Sequence, residues 1–173
     1  GPTVYDYFHV GNARSFIMSD IIRRFLEYSG YKVKFVMNLT DVDDKIIKKS
    51  IEEKKESRLV AEKYADAFME DIHKLGIKPA DVYPKATAHM TEIVSLVKDL
   101  VDKGFAYNIN GNVFYNVSKF KTYGKLSGKN TDDLESGARI EINEEKKNPL
   151  DFSLWKKAKE GEPYWESPWG NGR

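Results

Sequence analysis

The chain has no cysteine in its 173 residues, which excludes a disulfide framework. It also lacks a long apolar run. Nothing approaches the ~20 residues that a membrane-spanning helix requires, and no stretch reads as a secretory signal. Nor is there an excess of charge of one sign. Lysine and arginine number 28 against 27 aspartates and glutamates, a formal net charge of +1. Affinity for nucleic acid would have to come from local patches rather than from the overall field. No internal repeat is evident. What is present suits a folded protein: a hydrophobic fraction of 40% and an aromatic fraction of 13% are not those of a disordered chain. At 19.9 kDa the chain can bury one core and carry a small appended module.

Residues 3–8 read as the end of a strand. Over 15–28, Ile17, Met18, Ile21, Ile22, Phe25 and Leu26 recur at helical spacing with charges between them, and Gly30 follows as a stop. Residues 31–39 alternate and are rich in Val, Phe and Tyr, which predicts a second strand. Strand, helix and strand in this length form a βαβ unit with ligand-binding loops at the C-terminal strand ends. His9 and Thr40 both fall at such ends. Thr40 is placed to cap the next helix, with Asp43 and Asp44 in its first turn. Residues 45–58 are charged throughout and nearly balanced, which predicts a solvated helix. Residues 59–75 carry Val60, Tyr64, Phe68 and Ile72 on one stripe, and 86–103 carry Ile93, Leu96, Val97, Leu100 and Val101. Breaker-rich 76–84 separates these two helices. After Gly104 the texture changes. Residues 105–117 read as a hairpin around Asn-Ile-Asn-Gly-Asn, 118–147 as polar loop, and 152–155 as a short apolar strand before a Gly/Pro/Trp-rich tail. The plan is a split nucleotide-binding fold interrupted by an inserted module.

The chemistry concentrates at His9-Val10-Gly11-Asn12. A glycine between two side chains that donate hydrogen bonds, where a strand turns into a helix, suits a triphosphate. Gly11 allows close approach to the backbone, and His9 and Asn12 add side-chain hydrogen bonds. The plainer role of His9 is a helix cap or a core histidine. Asp41, Asp43 and Asp44 resemble a metal site by composition, but hydrogen bonding and complementation of a helix dipole explain them as well. His73 and His89 lie in amphipathic helices and read as structural. Lys119, Lys121, Lys125 and Lys129 are interleaved with Phe120 and Tyr123. That pattern suits a nucleic-acid backbone with stacked bases, and equally a soluble loop.

Five segments occur in an order that points to one family: Gly1-Pro2-Thr3-Val4-Tyr5-Asp6, His9-Val10-Gly11-Asn12-Ala13-Arg14, Asn38-Leu39-Thr40-Asp41-Val42-Asp43-Asp44-Lys45, Asn148-Pro149-Leu150-Asp151-Phe152-Ser153-Leu154-Trp155-Lys156, and Ser167-Pro168-Trp169-Gly170-Asn171-Gly172-Arg173. From first residue to last the chain resembles the cysteinyl-tRNA synthetases, class I aminoacyl-tRNA synthetases. The resemblance implies an α/β, split Rossmann-like nucleotide-binding fold. Residues 1–104 would be the first part of the catalytic domain, 105–150 an inserted connective module, and 151–173 a truncated return to the catalytic domain.

The same resemblance implies that 9–12 is the His-Ile-Gly-His element, with Asn12 replacing the second histidine of its commonest form. His9 and Asn12 would be catalytic. His9, Gly11 and Asn12 would bind ATP, accompanied by Mg²⁺, and Gly1 and Thr40 would contact cysteine. Lys119, Lys121 and Lys125 would approach the acceptor end of tRNA(Cys). Cysteine is activated with ATP to cysteinyl-adenylate and then transferred to tRNA. The family's zinc is held by two cysteines, a histidine and a glutamate that lie just outside both ends of this segment. No metal site is therefore expected within it, and Zn²⁺ belongs to the full-length enzyme. The mobile lysine loop and anticodon-binding helices are likewise absent. The resemblance thus makes the chain an excerpt of a longer, cytoplasmic enzyme, expected to be a monomer without membrane partners and inactive as the isolated fragment. Two alternatives stay open: a ligase joining cysteine to an amino sugar, as in the mycothiol pathway, and a non-catalytic synthetase-like paralogue that binds tRNA or a partner.

Overall fold

The computed structural model describes residues 1–128 and 145–173. They form two compact units, Gly1–His89 and Met90–Arg173. The division falls earlier than the change of texture at Gly104, because α4 (Met90–Asp102) packs on the hairpin that follows it.

The first unit holds α1 (Val10–Tyr28), α2 (Asp44–Glu53) and α3 (Ser57–Lys74). Its centre is made of three short extended segments bridged in parallel. Thr3 pairs with Thr40, Val36 with Val82, and Leu39 with Lys85. The parallel relation of the first two segments agrees with the βαβ reading. The third, residues 82–85, lies in the stretch read only as breakers. Pro84 has no N–H to donate and instead accepts from Leu39 N–H at 2.8 Å, a proline role compatible with an edge. The core is Val4, Leu39, Ile46, Val60, Phe68 and Ile72 with their neighbours. The stripe Val60, Tyr64, Phe68 and Ile72 on α3 is buried as its spacing predicts.

Several helix boundaries differ from the periodicity. Residues 45–58 are not one helix: α2 ends at Glu53, its C-cap Lys54 adopts a left-handed conformation with φ 53°, and α3 starts at Ser57. Thr40 does not cap α2. Asp43 does, its carboxylate accepting from Lys45 N–H at 2.9 Å. A carboxylate at this position satisfies one of the first N–H groups and complements the dipole as well.

Helix α1 begins at Val10 rather than 15 and ends in a Schellman pattern. Tyr31 N–H bonds to Leu26 C=O and Gly30 N–H to Glu27 C=O, both at 3.0 Å, with Gly30 at φ +88°. Its rotation is the opposite of what hydropathy predicts. The buried residues are Ala13, Asp20 and Arg23, whereas Met18, Ile21, Ile22 and Phe25 are at least half exposed. Hydrogen bonding explains this orientation. Arg23 donates to Pro79 C=O at 2.6 Å, to Asp81 at 3.1 Å and to Glu27 at 3.2 Å. Asp20 accepts from Lys78 N–H at 3.0 Å and from Arg24 at 2.7 Å. These bonds fasten α1 to residues 78–81 through its polar face.

In the second unit, β1 (Ala106–Ile109) and β2 (Asn112–Tyr115) form the expected hairpin. Asn110 and Gly111 turn it, with φ 53° and 93°, the Asn-Gly two-residue turn. The predicted strand Phe152–Trp155 is β3, antiparallel to β2 with an irregularity at Val113/Phe114. The tail folds back on it: Lys156 and Arg173 exchange backbone hydrogen bonds of 2.7 and 2.8 Å. Gly172 is pressed against the Trp155 indole, where any Cβ would collide.

Asp151 anchors this unit. It is 1% exposed and accepts from Tyr107 O–H at 2.7 Å and Val117 N–H at 3.0 Å. Burial first, and the hydrogen bond to Asp151 second, push the Tyr107 phenol up to about 12. An unfolded phenol titrates near ~10. The unfolded chain therefore loses this proton while the folded chain keeps it. The resulting stability is complete below about pH 10 and is lost as pH rises through about 12. Thermal unfolding followed from pH 9 to 12 is expected to fall more steeply for wild type than for Tyr107→Phe. Parallel curves would reject this.

Candidate active site

The turn from the first extended segment into α1 is built by His9. The imidazole Nδ1 accepts from Gly11 N–H at 3.0 Å, and His9 C=O accepts from Asn12 N–H at 2.8 Å. His9 is therefore the N-cap of α1. A ring nitrogen that accepts carries no proton, so the neutral ring is protonated at Nε2, which is left to donate outward. Capping and ligand donation use different edges of the same ring. The N–H groups of residues 11 and 12 are consumed locally and are not unpaired donors at the helix start. The dipole remains, since no acidic residue lies in the first turn of α1. Gly11 has a second reason to be glycine: a Cβ would sit 3.2 Å from His9 Nδ1, pressing the ring off its cap.

A cavity of about 350 Å³ opens beside this turn and is lined by Gly1, Pro2, Thr3, Tyr5, Asp6, His9 and Asn12, among others. Three expected site residues, Gly1, His9 and Asn12, therefore share one cavity. Gly11 and Thr40 do not line it. Thr40 is tied to the lining from behind: its N–H donates to Pro2 C=O at 3.0 Å and its C=O accepts from Val4 N–H at 3.2 Å. Asp41, next in sequence, accepts from the Thr87 amide at 3.0 Å and its hydroxyl at 2.5 Å.

Sequence reasoning missed Lys45 and Tyr64 as lining residues. Lys45 Nζ lies 5.0 Å from the Tyr5 ring centroid. Tyr64 belongs to the α3 stripe, and only its polar tip distinguished it from core. That hydroxyl donates to Glu53 at 2.9 Å, and this bond, ahead of the nearby lysines, holds the Glu53 carboxyl below its ordinary value. Phe8, Phe16 and Phe68 also line the cavity and meet edge to face, with centroids 5.1–5.8 Å apart.

Among the described residues no cluster of three or more His, Cys, Asp or Glu side chains can hold a metal ion. Asp41 and Asp43 are engaged with Thr87 and the start of α2. With no cysteine present, these residues do not fit a zinc centre. No helix among the described residues is long and apolar enough to cross a membrane.

The second unit presents Lys119, Lys121 and Lys125 as exposed residues. None of the three forms an ion pair with a carboxylate among the described residues. Lys129 lies outside the described residues. In the same unit Phe152 stacks on Tyr115, centroids 5.1 Å apart at 22°, and lies 6.4 Å from Tyr123. Phe152 and Tyr123 are 39% and 36% exposed.

The family described as "tRNA synthetases class I (C) catalytic domain" matches residues 1–173. The chain is 53% identical to the cysteine–tRNA ligase of Carboxydothermus hydrogenoformans. It is 55% identical to that of Clostridioides difficile and 56% to that of Thermococcus gammatolerans. In each case all 173 residues align, and the chain spans 36–37% of the relative's length.

Proposed function

Because the chain belongs to the class I (C) tRNA synthetase catalytic-domain family, we propose that it carries the ATP-binding part of a cysteine–tRNA ligase. One observation above all supports the reading. His9, Asn12 and Gly1 line one cavity at the uncompensated N-terminus of α1, with His9 Nε2 free of the cap. The parallel order of the first unit, residues 2–4, 36–40 and 82–85, supports the first part of a split Rossmann-like domain. Residues 105–150 are then an insertion, and 151–173 lead back toward the catalytic domain in the longer chain.

The chemistry is positional. The carboxylate of cysteine attacks the α-phosphorus of ATP, the bond to the bridging oxygen breaks, and pyrophosphate leaves. The ribose hydroxyl at the tRNA terminus then attacks the adenylate carbonyl and AMP leaves. No protein nucleophile is required. His9 and Asn12 donate to phosphate oxygens on which charge develops, a preorganised stabilisation. Mg²⁺ accompanies the nucleotide. Gly1 and Thr40 border the amino acid. Zinc, if bound by the full-length protein, would favour a thiolate over a hydroxyl.

The test is amino-acid-dependent ATP–pyrophosphate exchange by the full-length protein. Exchange with cysteine and no other amino acid is expected. A folded, zinc-loaded protein that exchanges with none would sink the reading in favour of a binding paralogue. Transfer of the activated cysteine to an amino sugar rather than to tRNA would assign the sister chemistry.

The exposed lysines and ring ladder of the second unit support contact with the single-stranded acceptor end, phosphates on Lys119, Lys121 and Lys125 and a base against the aromatic group. Replacing the three lysines by alanine is expected to weaken tRNA binding. It should also reduce the slope of log affinity against log salt by about 2, at ~0.7 per single-strand phosphate. Exchange without tRNA should be unchanged. An unaltered salt slope would remove these lysines from the interface.

A further inference from the structure

We infer that Asn38 is a positioning residue: it sets the polarity of the Thr40 hydroxyl, making it a hydrogen-bond donor toward an acceptor on the amino-acid substrate, its carboxylate or its sulfur. The inference rests on the amino-acid-activating reading above.

Asn38 Nδ2 donates to Thr40 Oγ1 at 3.2 Å. A hydroxyl has one proton and two lone pairs. With an amide N–H on one lone pair, the proton must point away from Asn38. Little else about Thr40 can move. Its N–H and C=O are both bonded to the first extended segment, through Pro2 and Val4, and Asp41 is clamped to Thr87 directly after it. Rotation of the hydroxyl is the remaining freedom, and Asn38 removes it.

Asn38 also touches the other expected amino-acid contact. A Cβ on Gly1 would lie 2.8 Å from Asn38 Oδ1 and would run into the Asn38 backbone carbonyl. Its amide oxygen therefore faces Gly1 while its amide nitrogen holds Thr40. Asn38 is itself exposed and absent from the core, so packing does not account for it. Asn38, like Thr40, lies outside the cavity lining, but it borders the lining residue Gly1 and holds the Thr40 hydroxyl.

Polarity provides the test. In the full-length protein, Asn38→Ala frees the hydroxyl to rotate, and the KM for cysteine in ATP–pyrophosphate exchange is expected to rise about 5- to 10-fold. The KM for ATP should stay within twofold. Asn38→Asp keeps the shape but replaces the donor by an acceptor, which captures the Thr40 proton. Its KM for cysteine should exceed that of Asn38→Ala by a further factor of about ten. The gap between the two variants must vanish in a Thr40→Val background, whereas an effect of the added charge alone would persist there. Thermal midpoints of the variants should match wild type. Inhibition by cysteamine, which has no carboxylate, identifies the acceptor: a weakening of inhibition parallel to the KM shift assigns sulfur, and unchanged inhibition assigns the carboxylate. Asn38→Asp no worse than Asn38→Ala, or a gap that survives Thr40→Val, overturns the inference. If the folded wild type shows no cysteine-dependent exchange, the functional reading fails and this inference with it. Normal wild-type exchange with indifferent Asn38 variants makes the inference alone fail.

Discussion

Replacing His9 by alanine is expected to lower cysteine-dependent ATP–pyrophosphate exchange by two to three orders of magnitude, the usual range of ~10²–10³ for one preorganised donor to developing charge. Two losses combine in that variant. The Nε2 donor disappears from the cavity, and Gly11 N–H loses the Nδ1 acceptor that starts α1. The second loss costs about 1 kcal/mol of helix stability. His9→Asn separates them. Asparagine is a good N-cap, so stability should return, but its short amide cannot both cap and present a donor where Nε2 stood, and activity should stay low. An alanine variant with exchange within threefold of wild type would remove His9 from the chemistry and leave it a cap only.

Asp151→Ala is expected to destabilise the second unit by about 3 kcal/mol. Asp151 is 1% exposed, and removal of its side chain strands one buried donor, Val117 N–H, and one half-buried donor, Tyr107 O–H. Each unsatisfied donor costs ~1–3 kcal/mol. Asp151→Asn still accepts from Val117, and its amide can donate to the Tyr107 oxygen, so a loss near ~1 kcal/mol is expected. Tyr107→Phe in the alanine background should recover part of the loss by deleting one stranded donor. Denaturant unfolding measures all three, and an alanine variant within ~0.5 kcal/mol of wild type, the size of an ordinary surface substitution, would show that water enters freely.

The elements that could be read from the sequence are those in which local pattern and tertiary environment agree. The stripe Val60, Tyr64, Phe68 and Ile72 is buried as spaced, and Asn110-Gly111 turns the hairpin. The turn at His9 was legible as a site because strand end, histidine and glycine coincide there. Helix α1 is legible from its spacing, but its buried face is not, because hydropathy ranks Ile21 and Ile22 above Arg23. The bonds of Arg23 to Pro79 and Asp81 cross 56 and 58 residues, and no window sees them. Thr40 was read as a cap because threonine caps often; Asp43 lies closer to the first helical N–H groups. Lys45 and Tyr64 escaped notice as lining residues because both belong to helices whose other side chains pack or face solvent. Pro-Leu-Asp-Phe was visible as a motif, but its reason is the burial of Asp151 beneath residues far away in sequence.

The three extended segments of the first unit have a consequence for the order in which the molecule assembles. Thr3 meets Thr40, and Leu39 meets Lys85, across gaps of dozens of residues. Helices such as α3 form in microseconds or less, whereas parallel pairs must first close long loops. The cavity wall at Gly1–Thr3 is held by the first of these pairs, so it is completed only after the helices around it. In a refolding chain, the ability to bind is expected to rise no earlier than the helical signal, because it requires these long-range pairs. Binding competence and far-ultraviolet signal should rise on separate clocks.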